Sequence, residues 1–163
     1  MFSFRSRLLA TTVLAASGLL VTDRGMADDG EEKAVRAALS DFHVALNRLF
    51  TGEVQPMADV WSHADDVTYL GPDGGFQVGW DAILEEWQRQ ASKKLGGTIR
   101  PEEVHIHVGP KIAVTQNYEV GENTNTGGGP QQVRIRATNI FRKENGTWKL
   151  ISHHTDELPF LKN

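Results

Sequence analysis

Val35, Leu39, Phe42, Leu46 and Leu49 recur at intervals of three and four, with Ala38 and Ala45 filling the same stripe. That period predicts an amphipathic helix. It opens near Asp29-Gly-Glu-Glu32, a capping-box-like start, and stops at Gly52. Pro56 suits the first turn of a second, short helix to about His63, whose Met57, Val60 and Trp61 make its apolar face. Val67–Leu70 and Phe76–Val78 read as short strands around the turn Gly71-Pro-Asp-Gly-Gly75. A third helix follows Gly79, with Trp80, Ile83, Leu84 and Trp87 on one side, and Gly96-Gly97 ends it. Four longer strands complete the pattern, at about 100–108, 111–121, 131–143 and 148–156. Asn145-Gly146 between the last two is a strong hairpin signal, and 123–130 reads as an exposed hairpin loop. Helix, helix, hairpin, helix and a four-strand meander predict an α+β domain: three N-terminal helices packed on a strongly curved, mostly antiparallel sheet.

The first residues depart from this pattern. Arg5 and Arg7 precede an apolar run from Leu8 to Val21, and Gly25-Met-Ala27 supplies the small residues a signal peptidase reads. Residues 1–27 are therefore expected to be a signal peptide and 28–163 one domain, exported to the periplasm or secreted. The run is short for a bilayer span, so no stable membrane insertion is expected after cleavage. An uncleaved anchor is the alternative. With no cysteine there is no disulfide framework, and a net charge of −4 argues against nucleic acid as a partner.

Some polar residues stand out against the apolar pattern. His105 and His107 have metal-like spacing, but Val104, Ile106 and Val108 form the apolar set, which sends both histidines outward. Two histidines make half a site, so no metal is expected. Arg134 and Arg136 alternate with Val133 and Ile135 and belong to the outer sheet face. Trp61, Trp80 and Trp87 lie at helical spacing, where core is the commoner role; Trp61 and Trp87 are the two that could show an edge to a ligand.

Four segments carry a resemblance: Trp61 to Gly74, Val78-Gly-Trp-Asp-Ala-Ile83, Ala137 to Lys143, and Asn145 to His154. The chain resembles the nuclear-transport-factor-2-like (NTF2-like) superfamily, in its SnoaL-like and ketosteroid-isomerase-like branch. The resemblance implies a cone: a bent sheet wrapped around the long helix, with a pocket at the open end. Matching the last strand to the isomerases places Trp148, Leu150, Ser152, His154 and Asp156 inward, and Lys149, Ile151, His153 and Thr155 outward. The same matching sends Ala137, Asn139, Phe141, Val67 and Tyr69 inward. The isomerases' catalytic acid falls on Gly71, before Pro72, and their first-helix tyrosine has no counterpart. Their second oxyanion donor falls on Asn139.

The resemblance therefore implies a different catalytic set, if there is one. His154 would be the acid–base group, Asp156 would fix its tautomer, and Asn139 and Tyr69 would donate to an enolate-like oxygen. Trp61, Trp87, Ser152 and Phe141 would line the ligand site. The expected ligand is a small apolar or amphipathic organic molecule, taken by a homodimer that needs no cofactor. Three readings stay open: a binding protein, a cyclase-, isomerase- or dehydratase-like enzyme, and an oligomerising or partner-binding module.

Overall fold

The computed structural model describes residues 24–124 and 128–156, with side chains from Asp29 onward. The expected leader therefore lies outside the described residues, except that Arg24–Ala27 begin the first helix. The elements run α1 (Arg24–Leu49), α2 (Gln55–Val60), β1 (Thr68–Leu70), β2 (Phe76–Val78), α3 (Trp80–Ser92), β3 (Thr98–Val108), β4 (Ile112–Thr124), β5 (Pro130–Glu144) and β6 (Thr147–Asp156). This is the expected α+β order. Helix α1 starts upstream of the Asp29 cap read from the sequence.

One six-stranded sheet has the order β2-β1-β6-β5-β4-β3. All pairings are antiparallel except β1 with β6. The sheet is curled rather than closed. The β5–β6 hairpin turns at Asn145 and Gly146, both with positive φ (50° and 85°), as a tight two-residue turn requires. The α1 stripe of Val35, Leu39, Phe42, Leu46 and Leu49 is buried, and α1 packs chiefly against α2, β3 and β6. Trp61, Trp87, Phe141 and Leu150 fill the core beneath it.

Two irregularities control which side chains reach the concave face. In β3 the register slips between Glu102 and His105, with Glu103 at φ 53°. In β6, Phe141 pairs with Leu150 while its neighbour Ile140 pairs with Ser152, leaving Ile151 as an extra residue. Such a bulge inverts the alternation of a strand beyond it. Trp148 and Leu150 point inward as expected, but past Ile151 the inward residues are His153 and Thr155. The expectation that Ser152, His154 and Asp156 face inward is thereby overturned, as is the outward placement of His153 and Thr155. A period of two was carried through a strand that contains one residue too many.

Candidate functional site

Strand β4 turns an unusual set of residues inward: Ala113, Thr115, Asn117 and Glu119 are all buried, while Val114, Val120 and Tyr118 sit on the other, less buried phase. Burying polar groups in this way is costly unless they bond to one another. Here they do. Asn139 on β5 donates from Nδ2 to Thr115 Oγ1 (3.1 Å) and to Asn117 Oδ1 (3.2 Å). Both amide hydrogens are thus committed, so Asn139 Oδ1 is the acceptor for His153 Nδ1–H at 2.6 Å. That bond fixes the tautomer of His153 and leaves its Nε2 with no hydrogen bond, 3.9 Å from Glu119 Oε1.

Helix α1 supplies the third ionisable group. His43 follows Leu39 and precedes Leu46 on the buried stripe. Its Nδ1–H donates to the Leu39 carbonyl at 2.8 Å, so its Nε2 points away from the helix axis. That nitrogen lies 3.2 Å from Glu119 Oε1, with both side chains only 4% exposed. The contact is close but poorly aligned for a hydrogen bond, and neither atom has a hydrogen bond elsewhere among the described residues. His43, Glu119 and His153 form a buried cluster of ionisable groups.

Burial alone would raise the Glu119 carboxyl, but the neighbouring His153 and His43 imidazoles outweigh it and keep the pKa below the ordinary glutamate value. His153 moves the other way from an ordinary histidine. Burial lowers its pKa to about 4, against the opposing pull of Glu119. It is therefore neutral near pH 7, with a lone pair on Nε2. Phe42 and Tyr69 flank the ring, with centroids at 4.8 and 5.8 Å, and the Tyr69 ring lies nearly parallel to it.

Tyr69 brings a donor to the same place. Its Oη accepts a hydrogen bond from Gln90 Nε2 at 2.8 Å, which leaves the phenolic hydrogen free to point elsewhere. Burial raises its pKa far above the usual phenol, so it stays protonated. Gln90 is held in turn by Glu86 (2.7 Å), and Arg89 clamps both Glu86 oxygens at 2.6 Å and reaches Asp73 at 3.0 Å. The space around Tyr69 is tight: a Cβ on Gly71 would lie 2.6 Å from the phenolic oxygen.

Tyr69, Gln90, Glu119 and His153 of this network line a cavity of about 410 Å³ at the open end of the sheet, with His43 behind Glu119. Glu119, His153, Thr155, Tyr69, Trp87 and Gln90 contribute its polar wall; Leu46, Phe50, Leu95, Ile99, Val133 and Ile135 contribute the apolar wall. The size and the mixture suit a small organic molecule. A larger, shallower hollow of about 520 Å³ lies on the opposite sheet face, beside His105, Arg136, His154 and Asp156. Its charged groups are solvated. His154 Nε2 does meet Asp156 Oδ1 at 3.1 Å, but the two side chains are 43% and 51% exposed.

Of the residues expected at the site, Tyr69 and Trp87 line the cavity, and Asn139 sits behind His153 without reaching the opening. Trp61 and Phe141 are core. Ser152 accepts a hydrogen bond from Thr68 at 2.8 Å, away from the cavity, and His154 and Asp156 lie on the outer face. His43, Glu119 and Thr155 were missed altogether. A signal existed for the first two: His43 lies within an apolar helical stripe, and Glu119 ends a polar phase of a buried strand. His105 and His107 are exposed, as their strand phase implied. Among the described residues no three His, Cys, Asp or Glu side chains are arranged to hold a metal ion.

Comparison with known proteins agrees with this architecture. The model of the SnoaL-like domain matches residues 35–156. A candidate dehydratase of the NTF2-like family from Streptomyces avermitilis superposes with a TM-score of 0.72 at 21% identity, covering 80% of this chain and 98% of that one. A candidate calcium/calmodulin-dependent protein kinase II association domain from Thiobacillus denitrificans gives 0.64 at 22% identity, covering 76% and 94%. A candidate aromatic ring hydroxylase from Novosphingobium aromaticivorans gives 0.67 at 17% identity, covering 80% and 90%. At these identities the likeness is one of fold. No curated protein matches the chain in sequence.

Proposed function

The chain belongs to the SnoaL-like family, and on that premise we propose that its cavity binds a small, largely apolar carbonyl compound and moves a proton on it without a cofactor. The observation that carries this reading is the meeting of Glu119 and His153 on one cavity wall, with His43 against Glu119 behind it and the His153 Nε2 unbonded. His153 Nε2 takes a proton from the carbon beside the carbonyl, and the electron pair moves onto the carbonyl oxygen. Tyr69 Oη–H donates to that oxygen as its charge develops, the kind of stabilisation that lowers such barriers most. Returning the proton to another carbon completes an isomerisation. Alternatively, His153 passes the proton it has taken to a hydroxyl on the next carbon, which leaves as water and completes a dehydration.

The candidate dehydratase among the structural relatives makes the second outcome the natural one to test alongside the first. The basic start and apolar run of residues 1–27 support an exported protein. The outer sheet face, where Arg134 stacks over Tyr118 at 4.1 Å, is the surface through which a homodimer would assemble.

The deciding experiment is deuterium exchange into phenylacetone in D₂O, followed by proton NMR. The wild type should exchange the benzylic hydrogens well above the buffer rate. His153→Asn should lose at least tenfold of that excess and His154→Asn none. A wild-type rate equal to buffer, or equal losses in both variants, would reject the proposal.

A further inference from the structure

The rim of the cavity carries a charge that nothing among the described residues balances. Helix α3 ends at Ser92, and Lys94 adopts a left-handed conformation (φ 47°) as the chain turns away. The two adjacent lysines part there. Lys94 lays its side chain along Gly52, where a Cβ would come within 3.4 Å of Lys94 Cε. Lys93, fixed by backbone bonds from its N–H to Gln90 and Ala91 carbonyls, lines the cavity mouth instead. Its ammonium group has no hydrogen bond or ion pair among the described residues.

The remaining charges on the cavity wall are accounted for. Asp73 is held by Arg89 at 3.0 Å, and Glu119 is buried at the inner end against His43. Among the described residues, Pro72, Asn123, Thr124 and Gln131 line the rim without charge. The cavity thus runs from a lone cation at the solvent end, past apolar walls, to an anionic floor. A ligand with a negative group would be repelled by Glu119 if it entered head first. With the anion at the rim, its apolar body is directed inward.

We propose that the natural ligand is an amphipathic organic monoanion, a carboxylate or its equivalent, whose anionic group docks on Lys93 while its apolar body reaches His153. This rests on the cavity being the ligand site, and it adds a charge and an orientation to that reading.

Two fluorescent probes separate the claims: 1-anilinonaphthalene-8-sulfonate and its neutral parent, N-phenyl-1-naphthylamine. The wild type should bind the sulfonate at least fivefold more tightly. Lys93→Gln should erase that preference and leave the neutral probe unchanged, while Lys93→Arg and Lys94→Gln should keep it. Ile135→Trp, which fills the apolar wall, should abolish both. Equal binding of the two probes by the wild type, or a preference that survives in Lys93→Gln, overturns the anion proposal while the cavity reading stands. Binding of neither probe, or binding unaffected by Ile135→Trp, removes the cavity reading and this proposal with it.

Discussion

His153 and His154 are adjacent in the chain and opposite in circumstance. His154 has a carboxylate at 3.1 Å and a guanidinium nearby, and water surrounds all three. His153 is sealed beneath α1, bonded through Nδ1 to an amide that is itself fully committed, with its Nε2 directed at a buried acid. The outer residue has the more familiar dyad, yet the inner one has the perturbed chemistry. A partner at bonding distance counts for little when solvent screens it. Burial makes the same side chain consequential.

The contrast can be broken first at Glu119. Glu119→Ala removes one partner of the buried contact with His43 and should cost about 3–5 kcal/mol, read as a fall in the urea midpoint at pH 7. Glu119→Gln, which keeps the shape, should recover part of that loss.

Acid should distinguish the two histidines next. The folded pKa of His153, about 4, lies below the ordinary value near 6.5, so the unfolded chain binds more protons between those limits. Its contribution is complete above pH 6.5 and is lost as pH falls through 4, on the order of 3 kcal/mol. The lowered Glu119 pKa works in the same direction below the usual glutamate range. Denaturant midpoints measured from pH 7.5 to 4 should therefore fall, and the drop should flatten in His153→Asn. A profile unchanged by that substitution would mean that another group carries the acid sensitivity. The smallest effect belongs to the outer pair: His154→Ala should change stability by no more than about 0.5 kcal/mol.

Much of the fold is legible because its signals are local. The α1 stripe, the Pro56 start, the Asn145-Gly146 turn and the strand spacing each depend on a few neighbouring residues, and the elements appear close to where those signals put them. The site depends on more than that. Asn139, Phe141, Val67 and Tyr69 face inward as strand alternation implied, because no irregularity separates them from their reference points. His153 does not, because the bulge at Ile151 arises from pairing with β5 and has no composition of its own. Glu119 was obscured for another reason. Hydrophobicity ranks Val114, Tyr118 and Val120 as the inward phase of β4, and only the bonding network of Asn117, Asn139 and Thr115 makes the polar phase the buried one.

The Ile151 bulge works as a frameshift for side chains. Everything upstream in β6 is read in one frame and everything downstream in the other, so comparing this strand with a relative by counting residues gives correct positions and wrong faces. It also makes length, as well as identity, a heritable variable of the site. Loss of the Ile151 codon would remove the bulge and leave His153 and Thr155 facing the cavity from a regular strand, whereas regular pairing that kept Ile151 would withdraw them and present Ser152, His154 and Asp156 in their place.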